Sequence, residues 1–304
     1  MSTSVAPARR RTGAGLPFLV LSGILWGTGG LTGTLLRHAT GLSPVAVAAY
    51  RLSVGGALIV LFLIVTGRRL PRGRAAWTRI GVIGVLAAGF QASYFGAVAL
   101  TSVSLATLVT IGVSPALVLA VERITGRRRV DRRLVATVCL ALAGLGLLVG
   151  LPSGGFGAGA VLASSGLAVL AASGFAAVTL VGGRPVPGLD ELSTAGFGFT
   201  VGGLLLVPLA GATVGLGFRV DAWPIALVVA LGTGPTAIAY TLYFRGLRTV
   251  AAGTAALMAL LEPLTGALLA ALVLGDRLGP AGIAGALLLG GAVVLAAKRP
   301  EDTG

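Results

Sequence analysis

The chain has 304 residues, 56% of them hydrophobic and only 11% charged, with a mean hydropathy of +0.99 and a net charge of +14. A soluble domain carries about 25% charged residues, so this chain lacks the polar surface to stay in water. In a soluble protein +14 would point to nucleic acid. Here the basic residues cluster between apolar stretches, which points to membrane topology and argues against a nucleic-acid partner.

A helix rises about 1.5 Å per residue, so about 20 apolar residues cross the hydrocarbon core. Ten stretches reach that length, near 17–36, 44–66, 80–100, 102–122, 134–151, 157–181, 193–213, 223–244, 252–274 and 279–297. The first follows Arg9-Arg10-Arg11, a pattern shared with signal peptides, but nine further spans favour a retained helix. Trp26 lies near its middle, and His38 follows it as a solvated interfacial residue. Span 2 carries Arg51 about seven residues, or about 10 Å, from its outer end. Span 3 carries Gln91 and Tyr94, three apart and so on one face. Span 4 holds Pro115 and ends on Glu122-Arg123, where an interfacial salt bridge is expected. Span 5 holds the single cysteine, Cys139, which leaves no disulfide framework and no metal cluster. Span 8 carries Tyr240 and Tyr243 on one face, and span 9 carries Glu262-Pro263 near its middle. Trp77 and Trp223 sit at span ends as interfacial anchors.

Alternate connections differ sharply in charge. The N-terminus and the connections after spans 2, 4, 6, 8 and 10 hold 19 of the 23 basic residues. The clusters are Arg9 to Arg11, then Arg68, Arg69, Arg72, Arg74 and Arg79, then Arg123, Arg127, Arg128, Arg129, Arg132 and Arg133. The opposite side holds Arg37, Arg219 and Arg277, and Arg51 lies inside a span. The positive-inside rule then places both termini in the cytoplasm of a cell that keeps this protein in its inner (plasma) membrane. Contact with anionic lipid is an expected side effect.

The chain also repeats. AAYRLSVGGALIVL from Ala48 and AGFGFTVGGLLLVP from Ala195 superpose at a shift of 147, with Ser53 on Thr200 and Val54-Gly55-Gly56 on Val201-Gly202-Gly203. A shift of 148 brings Pro115 onto Pro263. A five-span unit crosses an odd number of times, so its second copy enters from the opposite side. The expected fold is therefore an all-α polytopic membrane protein of ten transmembrane helices in two inverted five-helix repeats, 17–151 and 157–297, flanked by tails 1–16 and 298–304. Glycine pairs four apart, Gly29/Gly33, Gly146/Gly150 and Gly198/Gly202, are expected at close helix contacts.

Trp26-Gly27, Pro44, Arg51, Pro115 and the run GTGPTAIAYTLYFRGLRTVAAGTAALMALLEPLTGALLAALVLGDRL from Gly232 resemble the EamA-type permeases of the drug/metabolite transporter superfamily. The resemblance covers nearly the whole chain. It implies ten helices in two repeats around a central cavity, in a family whose members are mostly exporters of amino acids, related metabolites or toxic compounds. That family often ends helices four and nine on Gly-Glu. Here the ninth has Gly275-Asp276, and the fourth has Gly126-Arg127 with its acid earlier, at Glu122.

Charges within the hydrocarbon are costly and face a cavity or a partner. Arg51 is the candidate for a substrate carboxylate, and Glu262 for a proton or a substrate amino group. Each could instead be satisfied by protein groups, the other included. Gln91, Tyr94, Tyr240, Tyr243 and Trp26 are candidate substrate contacts, or alternatively helix-interface residues. The expected cavity lies at the midplane between spans 2, 3, 8 and 9. It would take a small molecule, an amino acid or other zwitterion, with protons as the coupling ion, no cofactor and no metal. Oligomeric state is not readable. Pro115 and Pro263 each remove a backbone donor, which frees carbonyls for a cavity or a bend. The competing reading is a membrane-embedded enzyme or a flippase acting on lipid-linked substrates. One histidine, one cysteine and no loop with paired acids beyond Asp190-Glu191 argue against an enzyme, and no phosphate-binding glycine loop supports an ATP-driven pump.

Overall fold

The computed structural model describes residues 14–127, 131–150, 155–213, 215–275 and 277–298. Arg9 to Arg11, Arg128, Arg129, Asp276, and most of both predicted tails lie outside them. Ten helices long and apolar enough to cross a membrane fill the described chain. They are α1 (Leu16–Thr40), α2 (Pro44–Val65), α3 (Arg74–Leu100), α4 (Val103–Ile124), α5 (Arg132–Val149), α6 (Ala158–Gly182), α7 (Glu191–Gly211), α8 (Ala222–Gly246), α9 (Ala252–Val273) and α10 (Pro280–Ala297).

Local chemistry sets the ends. Ser43, Ser102, Asp131 and Asp190 each accept a backbone N–H from the first turn of α2, α4, α5 and α7, which satisfies one donor that helix geometry leaves orphaned. Gly41 closes α1 at φ +72°, a left-handed cap that suits glycine. Between α1 and α2 only three residues intervene, and between α3 and α4 only two, so these neighbours must run antiparallel.

Alternate connections gather at opposite ends of the bundle. At one end the Arg72 N–H donates to Gly188 O (3.4 Å), Arg248 pairs with Glu191 (2.6 Å), and the Glu122 carboxylate accepts from the Gly253 N–H (3.2 Å). At the other, Ser43 bonds Thr213 (3.1 Å) and the Tyr50 hydroxyl donates to Leu216 O (2.7 Å). Glu122 is thus a buried tie from α4 to the first turn of α9. The first end is the one that carries the arginine clusters.

The packing of the two halves is reciprocal. Helix α2 lies against α7, and α5 against α10. Helix α3 meets α6 as α8 meets α1; α4 meets α6 as α9 meets α1; α3 meets α7 as α8 meets α2. Replacing each helix by the one five places away maps these contacts onto themselves. Single residues obey the same exchange. A Cβ at Gly56 would overlap the backbone N of Thr200, and a Cβ at Gly203 would overlap that of Ser53, its repeat partners in sequence. Likewise Gly144 abuts Leu289 N, while Gly285 abuts Leu148 N. As one member of each pair advances the other retreats, so both pairs run antiparallel.

In lipid there is no hydrophobic drive between helices, and close approach through small residues supplies the contact energy. Large apolar residues such as Leu61, Ile64, Leu162, Leu204 and Leu287 point outward, as a lipid face requires. Of the predicted glycine pairs, Gly198 and Gly202 pack against Ile83 and the Gly84 carbonyl of α3. A Cβ at Gly29 would lie 3.1 Å from Pro235, and one at Gly33 only 3.8 Å from Val47. Gly146 and Gly150 do not make the expected close contact: a Cβ at Gly146 would meet no other part of the molecule within 4 Å, and Gly150 ends α5 at φ +77°. The close α1 contact is instead made by Gly23 and Gly27. Their missing Cβ atoms would sit 2.6 Å from Met258 O and 2.8 Å from Glu262 O.

Candidate substrate cavity

Two departures from regular helix shape the middle of the bundle. In α8, Pro235 has no N–H, so Leu231 O loses the partner a regular turn would give it. The Thr236 hydroxyl donates to Leu231 O instead (2.9 Å), and the turn widens across Thr233–Ile238. Ala239 N–H accordingly reaches back five residues to Gly234 O. In α9, regular helix stops at Met258 and resumes at Leu261. Leu260 and Glu262 donate their N–H groups three residues back, to Leu257 O and Ala259 O, in a tightened turn just before Pro263.

Arg51 of α2 reads the first irregularity directly. Its Nε donates to the Thr236 hydroxyl (3.1 Å) and its Nη2 to Pro235 O (3.4 Å). A chain of donors therefore runs from Arg51 through Thr236 to Leu231 O. Glu262 sits on the second irregularity, and α1 closes behind it through Gly27.

Both charges line one pocket. Its walls are Arg51, Phe90 and Tyr94 of α3, Thr110 and Ser114 of α4, Phe175 of α6, Tyr240 of α8, and Ala256, Ala259 and Glu262 of α9. Its empty space is about 570 Å³ with the mouth included, of which about 60 Å³ can hold the centre of a water molecule. The chamber is thus narrow in this conformation. No ion pair joins Arg51 to Glu262 among the described residues, and the Glu262 carboxylate accepts no hydrogen bond from them. Ser114 Oγ is buried without a partner. The wall thus presents a guanidinium, a carboxylate and a hydroxyl, each with bonding capacity left for a guest.

Tyr94, a wall of the pocket, also bonds Thr107 across to α4 (2.8 Å). Trp26, Tyr243 and Gln91 fall beside the pocket. Trp26 is 2% exposed and packs its ring 4.8 Å from Tyr240 and 4.8 Å from Tyr243. Tyr243 is fully buried and bonds Thr179 (2.9 Å). Gln91 is buried and does not line the chamber. Trp26, Phe175, Tyr240, Tyr243, Phe199 and Phe244 form a continuous aromatic layer, and only Phe175 and Tyr240 reach the pocket. Among the described residues no cluster of His, Cys, Asp and Glu could hold a metal ion.

The predicted walls of spans 2, 3, 8 and 9 were incomplete, since α4 and α6 contribute too. The signal for α4 was present: Thr107, Thr110 and Ser114 recur at three and four residues, which puts them on one helical face. Pro235-Thr236 was the overlooked pair in α8.

A ten-helix bundle around a chamber with a few polar groups is the architecture of a polytopic membrane protein. The chain belongs to the EamA-like transporter family, whose profile matches it twice, over residues 13–150 and 163–297. It is 29% identical over 294 residues to the transporter YwfM of Bacillus subtilis, covering 94% of this chain and 95% of that one. It is 24% identical over 292 residues to the inner membrane transporter YicL of Salmonella typhimurium, covering 93% and 95%. A solved crystal structure superposes with a TM-score of 0.78 at 21% identity, covering 96% of this chain and all of that one, which shows a shared fold.

Proposed function

We propose that the protein is a secondary transporter that exports amino acids, related small metabolites or toxic compounds by alternating access, driven by proton antiport. One observation carries this reading: Arg51 and Glu262 face one chamber with no ion pair between them. A buried charge in a membrane that is not neutralised by the protein calls for a ligand. The planar fork of Arg51 suits a carboxylate. Glu262 takes either a substrate ammonium or a proton. Because one carboxylate holds one of them at a time, each displaces the other, which is the elementary step of antiport. A small zwitterion satisfies both charges at once.

The reciprocal contacts support two inverted repeats, 17–151 and 157–297, related by an axis in the membrane plane. Such halves give inward- and outward-open forms of similar energy. The arginine-rich end is assigned to the cytoplasm and with it both termini, in the inner (plasma) membrane. Gln91, Tyr243 and Trp26 remain proposed substrate contacts in a state of the cycle that opens the aromatic layer.

Proteoliposomes with an imposed proton gradient test the reading against a panel of amino acids, cationic drugs and polyprenyl phosphates. Gradient-driven flux of a zwitterion, lost in Glu262→Gln, is expected. Unchanged gradient-driven flux in that variant overturns the coupling role. Selective stabilisation by polyprenyl phosphates overturns the substrate class.

A further inference from the structure

The chamber is not the molecule's only place for a guest. At the arginine-rich end a second, largely apolar groove opens on the outer face of the bundle between α2, α7 and α8. It is lined by Leu58, Phe62, Leu192, Ile238 and Leu242, and its empty space is about 660 Å³. Along α8 it runs from Thr233 to Leu242, about 14 Å at 1.5 Å per residue. That is about half the hydrocarbon thickness, the depth of one leaflet.

A basic hollow opens at the same end of the bundle. Arg69, Arg72, Gly188, Asp190 and Ser193 line it, next in sequence to groove residue Leu192. The turn after α2 builds the junction: Gly67 takes φ +62°, and Arg68 N–H returns to Leu63 O. The turn brings the Arg68 guanidinium 5.9 Å from the ring centre of Phe62, a groove wall. Arg68, Arg69 and Arg72 are all exposed. The one carboxylate in the hollow, Asp190, is engaged by the Ser193 N–H at 2.7 Å.

We propose that this groove and hollow form one site for a single anionic phospholipid, with an acyl chain in the groove and the phosphate between Arg69 and Arg72. The charge is complementary, since basic residues beside the membrane attract anionic lipid headgroups. The length is complementary, because one leaflet depth is one acyl chain. The position also matters. Thr233, Ala237 and Ile238, on the lipid side of the widened turn, line the groove, while Pro235 and Thr236 of that turn hold Arg51. An acyl chain seated there packs on the same turn that positions the charge in the chamber.

Native mass spectrometry of the purified full-length protein tests the site, with phosphatidylglycerol and phosphatidylcholine of equal chain length titrated in detergent. The wild type should retain phosphatidylglycerol at least fivefold better than phosphatidylcholine. Arg69→Gln with Arg72→Gln should bring it down to the phosphatidylcholine level. Ile238→Trp should lower retention of both lipids by filling the groove, and Ile238 is 46% exposed, so the core is spared. Should that bulk unsettle the fold, Phe62→Ala, at a residue 49% exposed, removes the wall instead and should weaken both lipids. Arg132→Gln with Arg133→Gln, at the same end but on α5, should change nothing. An equal loss in the α5 variant, an unchanged groove variant, or full competition by inorganic phosphate would each overturn the proposal.

Discussion

Helices α4 and α9 are repeat partners, with Pro115 superposed on Pro263 in sequence, yet they fold differently. Helix α4 continues through Pro115 without interruption from Val103 to Ile124. Helix α9 breaks before Pro263, between Met258 and Leu261. Their neighbours explain the contrast. Helix α9 lies against Gly23 and Gly27 of α1, where an added Cβ would sit 2.6 Å from Met258 O and 2.8 Å from Glu262 O, so only glycine admits these carbonyls. Helix α4 lies against α6, which presents side chains there: Ala168 beside Ala106, and Ala176 beside Val118. A proline removes one hydrogen bond in either helix, but a backbone that bulges needs a partner with no Cβ. A simpler contrast separates α3, which has no proline and is regular, from α8, which widens at Pro235. Thus the second half carries both irregularities and the carboxylate, while the first half supplies the arginine that reaches across to one of them.

The comparison breaks most readily at the reciprocal contact. Gly56→Ala and Gly203→Ala should each destabilise the protein by about 1–3 kcal/mol, the usual cost of overpacking, and by similar amounts. Thermal unfolding in detergent measures this, and a large cost at one position with none at the other would refute the reciprocity. Gly27→Leu should be worse and leave little folded protein, because the backbone of α9 cannot retreat from it; monodispersity by gel filtration reads this out.

Next in size are the effects on transport. Arg51→Lys keeps the charge but loses the fork that grips Thr236 and Pro235 O, and should cut flux at least tenfold with folding intact. Thr236→Val removes both the acceptor for Arg51 and the donor to Leu231 O. It should cost about tenfold in flux, and Thr236→Ser should restore most of it. Equal flux in the valine and serine variants would mean that Arg51 does not depend on the widened turn. The smallest effect belongs to Gly146→Ala, where open space surrounds the helix. Removing a mid-helix glycine there should stabilise the protein by about 0.5–1 kcal/mol.

Much of the fold was legible in the sequence, because length and apolarity are enough to define a crossing. The predicted span 44–66 meets α2 at Pro44–Val65, and 157–181 meets α6 at Ala158–Gly182. Arg51 and Glu262 stood out because charge in hydrocarbon is conspicuous. The side-chain directions were not legible. In a nearly all-apolar helix no periodicity separates lipid from cavity, so Gln91 and Tyr243 looked equivalent to Tyr94 and Tyr240. The close contacts were hidden for a related reason: with 49 glycines in the chain, spacing alone did not distinguish Gly23/Gly27 from Gly146/Gly150.

The central claim is that the chamber between the halves is where the substrate sits. Ser114→Cys and Ala259→Cys, made with Cys139→Ala, place single thiols on its α4 and α9 walls at uncharged positions. In membranes, a small water-soluble thiol reagent should label both and block flux, and a transported substrate should slow the labelling at both. Proteins that transport normally yet never label at either position, or that label without losing transport, would contradict the account.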